Sequence, residues 1–129
     1  MSTWLMNVHL ASYNGHLNVV QYLAKFANNI NPEDGNGWTP MDYAVLHGHL
    51  NVVNFYLDNL QDKNPQRNTQ DEKRNRTPLH YAAREGHLEI VEAIFQHLTD
   101  KNPADVQGVT PLHLAAQDGH LDVVQYLTK

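Results

Sequence analysis

At 129 residues with 41% hydrophobic side chains, the chain can bury a core without covalent staples. It has no cysteine, which excludes disulfides and thiolate metal sites, and its formal charge of −5 argues against general affinity for nucleic acid, which needs clustered Lys and Arg. Met1–Met6 has no cationic start ahead of an apolar run, and nowhere do about eighteen apolar residues occur together, so neither secretion nor a membrane span is expected and the cytoplasm is the expected compartment.

Taken in chain order, the first clear punctuation is Gly15-His16-Leu17-Asn18-Val19-Val20. The block returns as Gly48-His49-Leu50-Asn51-Val52-Val53, as Gly86-His87-Leu88-Glu89-Ile90-Val91 and as Gly119-His120-Leu121-Asp122-Val123-Val124. Its glycines lie 33, 38 and 33 residues apart. A period of that length is the mark of stacked supersecondary units, each touching only its neighbours and leaving long faces open to a partner. Every block predicts a helix. An acid or amide (Asn18, Asn51, Glu89, Asp122) sits in the first turn, where the helix dipole favours it, and residues such as Val19, Val20 and Leu23 share one side.

Between the first two blocks, Asn31-Pro32-Glu33-Asp34-Gly35-Asn36-Gly37-Trp38 has the composition of tight turns and extended backbone, so it is expected to project as a finger. Thr39-Pro40 then opens a short inner helix, with Thr as N-cap and Pro in the first turn. Asp42 stands in it where the other units have His9, His80 and His113, which predicts an altered local hydrogen-bond network. The third unit opens at Thr77-Pro78 and runs about two turns to Gly86, a residue suited to the left-handed conformation that closes helices. Its preceding finger is five residues longer than the others and reads Gln66-Arg67-Asn68-Thr69-Gln70-Asp71-Glu72-Lys73-Arg74-Asn75-Arg76. Insertions of this kind are cheap, each doubling of loop length costing only about 0.6 kcal/mol, so tolerated drift accounts for it. As a functional element, its Arg67, Lys73, Arg74 and Arg76 would suit an acidic peptide. The fourth unit has the finger Asn102–Val109 and the inner helix from Thr110. Alanines at 11, 44, 82 and 115 recur at one inner-helix position, where small side chains let helices approach.

Thr110-Pro111-Leu112-His113-Leu114-Ala115-Ala116, the close copy at Thr77–Ala83 and the looser one at Thr39–Val45 each stand nine residues ahead of a Gly-His-Leu block. Together with the period, they resemble the ankyrin repeat over nearly the whole chain. The resemblance implies an all-α solenoid of stacked antiparallel helix pairs joined by projecting, hairpin-like fingers, in one domain over residues 1–129. The repeats are expected at about 1–33, 34–71, 72–104 and 105–129. Met6-Asn7 replaces Thr-Pro in the first unit, which reads as either a degenerate N-terminal cap or a cut repeat, and the chain stops at Lys129 before the last helix would finish; the ends read as truncated, which points either to a segment of a longer array or to an exposed end face prone to self-association.

Nine histidines invite a metal reading, with His47-Gly48-His49 the closest pair, but no cysteine and no His-Glu-x-x-His arrangement supports it. Most of the histidines recur at two repeat positions, and the resemblance implies a structural role there. With no nucleophile elbow, no phosphate loop and no carboxylate in an apolar setting, neither enzyme activity nor a cofactor is expected. The resemblance implies binding of another protein on finger tips and inner helices. Those positions are Glu33, Asn36, Trp38, Leu46 and His47 in the second unit and Lys73, Arg74, Arg76, Arg84 and Glu85 in the third. In the fourth they are Val106, Gln107, Val109, Gln117 and Asp118. Trp38 is open to two readings, an interface anchor or a residue packed on a neighbouring finger. The rival function is a structural spacer within a longer array, with recognition elsewhere.

Overall fold

Threonine begins three of the helices by one device. Thr39 Oγ1 accepts the Asp42 N–H at 3.1 Å, and the Asp42 carboxylate accepts the Thr39 N–H at 3.0 Å. His80 and His113 do the carboxylate's work with Nδ1, which accepts the N–H of Thr77 at 3.2 Å and of Thr110 at 2.9 Å. Proline follows each cap, where its missing donor costs nothing. The computed structural model describes residues 3–65 and 76–129, with side chains from Met6 onward. Its helices are α1 (Thr3–Tyr13), α2 (Leu17–Ala24), α3 (Pro40–Leu46), α4 (Leu50–Asn59), α5 (Pro78–Glu85), α6 (Leu88–Phe95), α7 (Pro111–Gln117) and α8 (Leu121–Leu127). Among the described residues there is no strand.

The chain forms two compact units, Met1–Gln61 and Asp62–Lys129. In unit one, α1 packs on α2 and α3, and α4 on α2 and α3. Ala11, Val20, Met41, Ala44, Val52, Val53 and Tyr56 are among its buried residues. Unit two repeats the plan with α5–α8, burying Leu79, Ala82, Ile90, Val91, Ile94, Ala115 and Val123. The recurring alanines are thus all buried, as helices packed this closely require.

Each described finger turns around one carboxylate. Asp34 Oδ1 accepts the N–H groups of Asn36 and Trp38, both at 2.9 Å, while the Asp34 N–H reaches the Trp38 carbonyl at 2.8 Å. Asp105 does the same with Gln107 and Val109. At the finger base, Asn31 Oδ1 accepts the Met41 N–H at 3.0 Å, and Asn64 Oδ1 accepts the Leu79 N–H at 2.9 Å across the longer connection. The inserted residues therefore leave that anchor intact. Lys73 and Arg74 of the long finger lie outside the described residues.

Histidines tie neighbouring helix pairs in both directions. His9 Nε2 bonds the Trp38 carbonyl at 3.0 Å and His80 Nε2 the Val109 carbonyl at 2.8 Å. In the other direction, His49 Nε2 bonds the Tyr13 carbonyl at 2.8 Å and His120 Nε2 the Arg84 carbonyl at 2.9 Å. The second set bears on the glycines of two blocks, Gly15 and Gly86. At Gly86, φ is +74°, and a Cβ there would lie 2.5 Å from Nδ1 of His120; Gly15 and His49 repeat the arrangement. The glycine is needed both for the backbone angle and for the ring that lies against it.

Candidate partner-binding surface

The inner helices and fingers share one face in each unit, and the two faces differ. In unit one, α1 is apolar on both sides: Val8 and Ala11 point into the core, while Met6, Leu10 and Tyr13 are 59%, 51% and 44% exposed. These three residues, with His9, Tyr43 and the finger residues Asp34, Gly35 and Asn36, line an open groove of about 490 Å³. That volume falls within the range of roughly 300–1,000 Å³ usual for binding clefts.

Aromatic rings wall the groove. Tyr13 lies 5.9 Å from Tyr43, centre to centre, and 3.9 Å from His47; His9 meets Tyr43 edge-on at 5.7 Å. Trp38 is half-buried and tilted against Tyr43 at 6.0 Å, so part of its ring serves packing within its own unit. The Tyr43 hydroxyl donates to Asp34 Oδ2. Burial alone would raise the Asp34 carboxyl, but the hydrogen bonds from Tyr43, Trp38 and Asn36, with His9 nearby, outweigh it and hold the group below the usual carboxylate range. The rim therefore carries a fixed negative charge at neutral pH.

Unit two offers a polar face. Arg84 and Glu85 pair at 3.2 Å near the surface, with the Arg84 guanidinium 5.2 Å from the centre of the Tyr81 ring. Gln107, Gln117 and Asp118 are exposed, as is Val106, whereas Val109 is half-buried with its carbonyl bound to His80. Arg76 has no part in this face. It is buried, and its Nε donates to Asp105 Oδ2 at 3.2 Å, so the expectation that it contacts a partner gives way to an internal ion pair. Burial would raise the Asp105 carboxyl, but the N–H groups of Val109 and Gln107 and the Arg76 guanidinium together pull it down.

Of the positions expected to bind, the structure brings Asn36, Trp38 and His47 to the aromatic groove or its walls. Glu33 is exposed on the same finger, and Leu46 is half-buried. The sequence pattern did not single out Met6, Leu10, Tyr13 and Tyr43, which line the groove. A signal was present: an 11-residue helix that is apolar all round has more apolar surface than one core contact can cover. Among the described residues no three His, Asp or Glu side chains converge as metal ligands, and no helix is long and apolar enough to cross a membrane.

The profile describing ankyrin repeats, in three copies, matches residues 6–67 and 56–129. The chain belongs to the ankyrin repeat family. Ankyrin repeats are in general protein–protein interaction modules and typically non-catalytic. Among curated proteins, this ankyrin chain is similar to glycerophosphocholine phosphodiesterase GDE1 of Candida albicans (strain SC5314 / ATCC MYA-2876), with 32% identity over 50 residues. That stretch is 39% of this chain and 4% of the relative, so the likeness spans a small part of the relative's length.

Proposed function

We propose that this chain is a non-catalytic recognition module that binds a partner protein through the inner-helix and finger face of unit one. The carrying observation is the groove itself. Met6, Leu10 and Tyr13 leave apolar surface open beside an ordered finger and a set of aromatic rings, and exposed patches of that kind are characteristic of interaction sites. Tyrosine and tryptophan are also over-represented among residues that dominate interface energy.

A photo-crosslinking amino acid at position 36, compared with one at position 21 on the outward side of α2, tests this in lysate of the source cell. The expected result is a discrete protein adduct from position 36, lost when Leu10→Ser and Tyr13→Ser are added, and none from position 21. The spacer reading draws on a different observation, the exposed Val19 and Tyr22 on α2 and Phe26 just after it. Adducts from position 21 alone would favour it and overturn the groove.

A further inference from the structure

Within each unit the second helix pair stacks on the first through one repeated contact. In unit one the ring of His49 lies against Gly15, and its Nε2 bonds the carbonyl of Tyr13, two residues before that glycine. In unit two the ring of His120 lies against Gly86, and its Nε2 bonds the carbonyl of Arg84, again two residues before. The contact therefore has two halves: an imidazole just ahead of the second helix of one pair, and a glycine with a nearby carbonyl at the end of the inner helix of the pair before it.

One copy of each half is left over. His16 stands in the matching place ahead of α2, where it is exposed and makes no side-chain bond at the helix cap. Gly119 is the spare seat: a Cβ there would meet no atom within 4 Å, whereas at Gly15 and Gly86 it would lie 2.5 Å from a histidine ring. Gln117, two residues before Gly119, supplies the matching carbonyl. The apolar residues around the two halves repeat the pattern. Val19 is 46% exposed, while Val52 and Val123, at its place in the second pair of each unit, are fully buried. Ala116 is exposed, while Ser12 and Ala83, at its place in the first pair of each unit, are fully buried. Leu121 is 66% exposed, where Leu17 and Leu88 are half-buried.

We infer that two copies of this chain stack head to tail, the face of His16 and Val19 on one copy meeting the face of Ala116, Gly119 and Leu121 on the next. The His16 ring sits on Gly119, and its Nε2 bonds the Gln117 carbonyl. The contact continues between copies the interface that α4 makes with α2 and α8 with α6 inside each unit. It is heterologous, since each partner contributes a different surface. None of these residues lines the groove of unit one, so loss of the stacking contact leaves the protein-recognition reading untouched.

The test is sedimentation velocity on the full chain as its concentration is raised to about 1 mM. The mass is expected to start at 14.7 kDa and climb. Val19→Lys blocks one face and Ala116→Lys the other; both positions are exposed, so both variants should fold, which circular dichroism checks. Val19→Ser and Leu121→Ser replace either one that does not. Each variant alone should stay monomeric, and an equal mixture should reach about twice the monomer mass and no more, because only the two intact faces can meet. Gly119→Ala, which puts a methyl group where the ring sits, should weaken association about tenfold. A chain that remains monomeric throughout overturns the inference. So does association that survives either face variant, or a mixture of the two that stays monomeric, which would point to one surface pairing with itself. If the amide shifts that follow concentration centre on Leu10 and Asn36 instead of His16 and Gly119, the copies meet through the groove, and head-to-tail stacking is again overturned.

Discussion

Units one and two are built on one plan and finish it differently. In unit two the finger carboxylate is satisfied by a buried guanidinium, and the inner-helix tyrosine lies under a second one. In unit one the corresponding carboxylate leans on a tyrosine hydroxyl, and the face beside it stays apolar and open. The same turn geometry at Asp34 and Asp105 shows that the finger does not need the arginine to form. In unit two the guanidinium groups of Arg76 and Arg84 lie by the finger carboxylate and the inner-helix ring, and the exposed positions there are mostly polar, whereas the described face of unit one exposes Met6, Leu10 and Tyr13.

The sharpest way to break the comparison is to remove the two partners of the finger carboxylates. Arg76→Ala strands a buried Asp105 and is expected to cost about 3–5 kcal/mol, since an uncompensated buried charge remains. Tyr43→Phe removes one neutral hydrogen bond from Asp34 and should cost about 1–2 kcal/mol. Urea unfolding followed by fluorescence and circular dichroism measures both. Equal losses would mean that the two carboxylates are held alike, contrary to the structure.

A second pair of variants separates close approach from backbone strain within unit two. Gly86→Ala meets both a left-handed φ and the His120 ring, whereas Gly119→Ala, at φ +75°, has no atom within 4 Å of the added Cβ. The expected losses are about 3 kcal/mol and about 1 kcal/mol respectively. Similar melting temperatures for the two would show that the His120 ring moves aside at little cost.

The smallest effect is one of pH. Burial is the main cause that lowers the His80 pKa, and it outweighs the Val109 carbonyl and Asp105, which raise it. The unfolded chain therefore takes up the proton first, and this part of the stability is complete above about pH 6.5 and declines as pH falls below it, by at most about 1.4 kcal/mol per pH unit. In α3 the corresponding capping group is the Asp42 carboxylate in place of a histidine. Both finger carboxylates, Asp34 and Asp105, are held low, so their contribution is present above about pH 3.9 and lost in stronger acid. Hydrogen exchange at pH 7.5 and 5.5 should show the α5 amides losing protection before those of α3; loss in the reverse order would contradict this account.

Most of the fold could be read from the sequence because its devices are local: Thr-Pro for helix starts, Gly for their ends, Asp and Asn for fingers. The site was harder to read, for two physical reasons. Leu10 and Tyr13 have the composition of a core stripe, and only the three-dimensional stack shows that Val8 and Ala11 already fill that role. Arg76 sits at the end of a basic run that looks solvated, and its burial depends on Asp105, 29 residues further along the chain. The block motif had a similar hidden cause in two of its copies, since His49 and His120 each lie against a glycine and bond a carbonyl of the preceding helix pair.

Those imidazole ties also bear on how the chain assembles. The forward ties span 29 residues and the backward ties 36, in unit one and unit two alike. Closing such a loop carries nearly the same entropic toll wherever it occurs, because that toll grows only with the logarithm of loop length. Loop closure alone therefore gives neither unit precedence as the place where folding starts.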